Sequence, residues 1–92
     1  MSAELHLKIT KVDGTTGVYP CTPVVIAAFE REKKRSFVSA LTGDVEMLNL
    51  YWLAWKAEQV AFKAAGKIIK PQMDDAWLEE LRSVEPEEVD VP

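Results

Sequence analysis

Residues 44–66 read DVEMLNLYWLAWKAEQVAFKAAG, and the fold turns on what this stretch becomes. Asp44 stands where a helix N-cap would, no proline interrupts the residues that follow, and Gly66 is placed to stop them. The spacing predicts a helix from Asp44 to Ala65. At about 100° per residue its apolar side chains separate into two bands. Leu48, Tyr51, Trp52, Trp55 and Phe62 form one, and Leu50, Leu53, Ala54, Ala57, Val60, Ala61 and Ala64 form the other. Asn49, Lys56 and Lys63 make a polar strip, with Glu46 and Glu58 as isolated acids. A helix apolar on two sides is either central to a core or shared with a partner. Each large ring carries roughly 150–250 Å², so part of the aromatic band is expected to stay uncovered.

Upstream, ELHLKITKV (4–12) alternates, with Leu5, Leu7 and Ile9 on one face and His6, Lys8 and Thr10 on the other. Period two marks a half-buried strand. DGTTG (13–17) supplies the turn of a hairpin and Val18-Tyr19 its return. Thr22-Pro23 reads as an N-cap with proline at the first helical position, opening a helix to about Arg35 that buries Val25, Ile26 and Phe29. Ser36 caps a short turn, FVSAL, closed by Thr42-Gly43. Downstream, Pro71 ends a connector, and Asp74 or Asp75 opens a last helix, DDAWLEELRSV, with Trp77, Leu78, Leu81 and Val84 at helical spacing. EPEEVDVP has four acids and two prolines in eight residues, a composition that predicts disorder. The expected architecture is α+β but mostly α: an N-terminal β-hairpin, then three to four helices. Residues 1–84 would form a single small domain and 85–92 an acidic disordered tail.

At 92 residues the chain is the size of one domain, its 48% hydrophobic and 28% charged content is ordinary for a globular protein, and no apolar run approaches a membrane span. MSAELHLKITK lacks the apolar stretch of a signal peptide, so a cytosolic location is expected. The net charge of −4 argues against nucleic acid. One cysteine, Cys21, and one histidine, His6, assemble no disulfide and no zinc-type ligand set. His6 has no serine or cysteine placed to pair with it, Cys21 reads as a small buried filler, and Asp74-Asp75 and Glu79-Glu80 point about 100° apart, so they make no facing dyad. No catalytic, cofactor or metal residue is therefore expected, and the chain reads as a non-enzymatic binding module. The basic run Arg31, Lys33, Lys34, Arg35 is interleaved with Glu30 and Glu32 and reads as a solvated helix end.

TPVVIAAFEREKKRSFVSAL, LNLYWLAWKAEQVAFKAAGK and DDAWLEELRSVE together resemble the small tail assembly chaperones of long-tailed, siphovirus-like bacteriophages, especially those of actinobacterial hosts. In that family a helix with an FER motif precedes one of the form LxWLAWxA, and a helix of the form FDxWLxxxxxVE closes the domain. The likeness spans residues 22 to 85 and departs at Gln72-Met73, where relatives carry an aromatic before the acid. It implies a protein of the host cytoplasm that binds the tape measure protein, keeps it soluble and helps the tail tube assemble around it. Relatives are often made in a short form and a frameshifted long one, and an acidic end suits the short form.

The residues then nominate the partner surface. Trp52 and Trp55 hold the fold with part of their band open, while Tyr51, Glu58 and Phe62 form the accessible edge, Glu58 being a rim charge that orients a basic client helix or a second copy of the chain. Binding through such an aromatic edge would depend weakly on salt. Two other readings remain: a small DNA-binding or regulatory helical module, and a tail completion or connector subunit that stays in the virion.

Overall fold

In a computed structural model the chain is described over residues 2–42 and 45–91, without the side chains of residues 2, 3 and 89–91. The elements run β1 (Ser2–Lys11), β2 (Thr16–Pro20), α1 (Pro23–Lys33), α2 (Phe37–Leu41), α3 (Met47–Ala64), α4 (Asp75–Glu80) and β3 (Leu81–Val91). The class is α+β: a three-stranded antiparallel sheet of order β2-β1-β3 with the helices on one of its faces.

The alternation of β1 sets the two faces of the sheet. Leu7 and Ile9 are fully buried and Leu5 is half-buried, with Tyr19 and Val84 on the same side opposite Leu7 and Ile9. On the other face Lys8 pairs across with Val18 and Glu85, and His6 with Pro20 and Glu87. The hairpin turn is closed by Asp13, whose Oδ1 accepts from the Thr15 amide (2.9 Å) and hydroxyl (2.7 Å), and by Gly14 at φ 90°. These two donors hold the Asp13 carboxyl below the usual carboxylate range.

Helix α1 starts as its sequence demands, with Pro23 in its first turn and Thr22 in extended geometry. The Thr22 side chain makes no capping bond, and its Oγ1 is buried without a partner. The helix ends two residues short of Arg35, where Lys34 turns into the left-handed region at φ 53°. Ser36 caps α2 as read, accepting from the Ser39 amide at 2.9 Å, and Glu30 reaches from α1 to accept from the Phe37 amide at 2.8 Å. Helix α3 occupies 18 residues. The expected start at Asp44 is not met: Val45 and Glu46 are not helical, and Glu46, in extended geometry, is the N-cap of a helix that begins at Met47; Asp44 itself, with Gly43, lies outside the described residues. Gly66 does stop α3: at φ 73° it lets the Lys67 amide reach back to the Phe62 carbonyl (2.9 Å), a C-terminal closure that favours glycine.

The main correction concerns the C-terminal end. The expected helix through Val84 stops at Glu80, and residues 81–91 form β3, paired with β1 over its whole length. The acidic tail of the sequence reading is an edge strand. Pro86 is compatible with that position, since an edge strand tolerates a residue that cannot donate to the ladder. Glu85 and Glu87 stand on the polar face, opposite Lys8 and His6, while Glu88 stands opposite Leu5 and keeps its side chain exposed at the edge of the sheet. Only Pro92 of the segment 85–92 lies outside the described residues. The added strand makes the helix content less dominant than the sequence reading had it.

A chain truncated after Val84 tests this directly. It loses the pairing of residues 85–91 with β1, each hydrogen bond contributing about 0.5–1.5 kcal/mol. The truncated protein is expected to melt at least about 10 °C lower than the full chain. An unchanged melting temperature would return 85–92 to the status of a tail.

Candidate interaction site around helix α3

Helix α3 is covered from several directions. Leu50, Leu53, Ala54 and Ala57 are buried with Val25 and Phe29 of α1, the β1 residues Leu7 and Ile9, and Trp77 of α4. The aromatic band is largely enclosed as well. Phe29 meets Trp52 edge to face at 5.9 Å between ring centroids, and Trp52 meets Trp55 at 5.6 Å. Trp55 is only 6% exposed and Trp52 is half-buried.

The five nominated residues therefore do not form one edge. Tyr51 is half-buried and turns towards Leu78 and Leu81, lining with Leu48 a shallow groove of about 300 Å³. Phe62, also half-buried, sits at the other end of α3, edge to face with Tyr19 of β2 at 6.1 Å. Trp52 and Trp55 are adjacent and face a third region. Glu58 is not a rim charge: it is 5% exposed. Its Oε1 accepts from Trp77 Nε1 at 3.2 Å and from Gln59 Nε2 at 3.4 Å, and its Oε2 lies 3.4 Å from Lys11 Nζ. Lys11 also stands 4.7 Å above the Trp77 ring. Gln59 in turn accepts from the Lys70 amide. A buried carboxylate is tolerated only when paired and hydrogen-bonded, and here the partners come from β1, α3 and α4.

This cluster tethers α4. Asp74 caps that helix by accepting from the Trp77 amide at 2.9 Å, which lowers its carboxyl pKa, with a further contribution from Lys70. Trp77, 1% exposed, then inserts between α3 and β1. No signal in the sequence distinguishes Glu58 from a solvated helix acid, since Lys11 and Trp77 reach it only through the tertiary fold. Burial first, and Glu58 second, raise the Tyr19 phenol.

Other open grooves remain besides the Tyr51 one, among them one that Val24, Val60 and Ile69 line along the C-terminal half of α3. Beside the N-terminal end of α3, Val38 and Val45 line a groove of about 390 Å³ with Leu5, Phe37 and Leu50. Between α1, α3 and the 71–73 connector lies a larger groove of about 600 Å³ lined by both Trp52 and Trp55. It is edged by Arg31, Lys33 and Lys56, with Glu32 as the acid among them. Lys33 Nζ lies 5.9 Å from the Trp52 ring centroid and Lys56 Nζ 5.5 Å from that of Trp55. The Trp55 Nε1–H is buried with no acceptor, a deficit worth about 1–3 kcal/mol. The sequence reading singled out the two tryptophans and missed their cations, because Arg31 and Lys33 come from a different helix.

Cys21 is buried, and burial first and Glu4 second push its thiol up to about 11, so it is protonated at neutral pH and unreactive. His6 lies on the sheet face away from the helices, 3.6 Å from Glu4. Among the described residues no group of His, Cys, Asp and Glu could hold a metal ion, and no helix is long and apolar enough to cross a membrane.

Two outcomes test the site. Glu58→Ala is expected to destabilise by about 2–4 kcal/mol, because it leaves the Trp77 N–H without its acceptor and Lys11 without its partner. A solvated rim acid would change stability by less than about 0.5 kcal/mol, so thermal melts separate the two. Cys21 is expected to react with a chromogenic disulfide reagent only as fast as the chain unfolds, and rapid labelling of folded protein would contradict its burial.

No protein-family model, no curated protein and no solved structure matches the chain.

Proposed function

We propose that this protein is a tail assembly chaperone of a long-tailed bacteriophage, acting without catalysis in the host cytoplasm by holding the tape measure protein soluble while the tail tube forms around it. The observation that carries the reading is the pair Trp52 and Trp55 at an open groove of about 600 Å³ on the helix that supplies much of the core. Aromatic side chains in a concave, partly desolvated setting are the common anchors of protein recognition. The motif likeness over residues 22 to 85 gives that groove a client, and both the LxWLAWxA and the FER segments of that likeness contribute to its walls.

The client is held here by Trp52 and Trp55. Tyr51 and Leu48 offer a second apolar surface of about 300 Å³ at the start of the same helix, suited to a longer client segment or to self-association. Glu58 has no part in contacting the client, being committed to Lys11 and Trp77.

Co-expression with the tape measure protein of the same genome is expected to move that protein from the insoluble to the soluble fraction, and Trp52→Ser is expected to diminish the effect while the variant stays folded by circular dichroism. A client whose solubility is indifferent to the chain would overturn the reading. Mass spectrometry of purified particles separates a chaperone, absent from them, from a connector or completion subunit, present in fixed copy number.

A further inference from the structure

The groove at Trp52 and Trp55 has a definite chemistry. Two of its three cations, Lys33 and Lys56, are drawn over the indole rings and the third, Arg31, is exposed beside them, against the single acid Glu32. This basic surface belongs to a chain of net charge −4. Trp55, one of the residues that line the groove, also carries a buried donor without an acceptor, its Nε1, on a side chain more than nine-tenths buried. A buried N–H without a partner is uncommon in folded proteins, and neighbouring cations and an indole donor all select for the same kind of visitor, one that brings oxygen acceptors and negative charge.

We infer that the groove takes a short acidic segment of a partner protein, with an aliphatic or aromatic side chain packed against Trp52 and a carboxylate or main-chain carbonyl directed to Arg31, Lys33, Lys56 and the Trp55 N–H. The inference rests on the chaperone reading for the identity of the partner, and it reverses the basic client that an exposed Glu58 would have selected. At about 600 Å³ the groove matches sites that hold small ligands, roughly 300–1,000 Å³, so it receives a few side chains and not a whole helix. Lys33, Lys56 and Met73, three of its lining residues, are long and flexible and can give way as an acceptor reaches the indole. Single-stranded nucleic acid shares the taste for aromatics and cations, but it stacks successive bases on a series of open rings, and this groove has no such series. Trp55 is only 6% exposed, which leaves the half-buried Trp52 alone, room for one side chain and not for a run of bases.

The test uses the full chain, labelled with nitrogen-15, and short synthetic peptides of Glu, Leu and Ala, with twins in which Lys replaces Glu. The three tryptophans give three indole N–H signals. The acidic peptide is expected to shift those of Trp55 and Trp52 and to leave that of Trp77, already bonded to Glu58, in place. Its affinity is expected to fall with added salt and to drop about tenfold or more in the double variant Arg31→Glu, Lys33→Glu. The Lys twin is expected to bind the wild type weakly and the double variant better. Equal binding of the two peptides, or no movement of the Trp55 signal, would overturn the inference, and so would an oligothymidine that displaces the acidic peptide from the same signals. Co-expression keeps the two claims apart. Where wild type and double variant solubilise the tape measure protein equally, the acidic-segment inference fails and the chaperone reading stands. Where the acidic peptide binds but the client stays insoluble beside the wild type, the chaperone reading fails and the groove's chemistry stands.

Discussion

A helix of 18 residues that is apolar on almost every side must be covered on almost every side, and the architecture answers that demand. Helix α1 takes the flank of α3 that carries Leu53 and Trp52, the sheet takes another through Leu7, Ile9 and Tyr19, and α4 closes a third with Trp77. A chain of this size has no further element to spend on the rest. What stays open includes the start of α3, the groove between α1 and the 71–73 connector, and a strip along the C-terminal half of α3 lined by Val24, Val60 and Ile69.

The Glu58 cluster is what makes the third closure hold. Helix α4 has six residues, too few to persist alone, and it owes its position to the Asp74 cap at one end and the Trp77 indole at the other. Placing a carboxylate where Trp77 must dock gives the indole N–H a partner inside the core, and Lys11 balances the charge. Because α4 leads straight into β3, the same contact also delivers the last strand to β1. The Val12 amide donates to the Glu80 carbonyl at 2.9 Å, where helix passes into strand. A buried ion pair is a weak source of net stability, but here it ties three elements to one point.

The local signals in the sequence were readable where the physics is local. The alternation of β1, the Asp13-Gly14 turn, Pro23 in the first turn of α1, the Ser36 cap and Gly66 at the end of α3 all depend on neighbours within a few residues, and each stands where the spacing put it. The failures share the opposite property. LRSVEPEEVDV has the composition of a solvated tail, and only β1, some 75 residues away, turns it into a strand by offering a second edge and, in Lys8 and His6, polar partners for its acids. Glu58 escaped for the same reason, since its partners Lys11 and Trp77 lie 47 residues before it and 19 after.

The burial of Glu58 changes the electrostatics of the whole recognition surface. With that carboxylate neutralised inside the fold, the charges that a visitor to the aromatic band meets are those carried by the end of α1 and by Lys56, and they are mainly positive. Eight of the fifteen acids lie elsewhere, in the segment of α4 and β3 from Asp74 to Asp90. An overall charge of −4 thus sits beside a groove whose edge carries three cations and one acid. Cations held over indole rings keep their attraction for a carboxylate while their stems shield apolar surface from water, so the groove can remain open in the free protein without becoming a site of indiscriminate hydrophobic association. Selectivity then follows from two requirements that a partner must meet together, an apolar side chain for Trp52 and an acceptor for the cations and the Trp55 N–H.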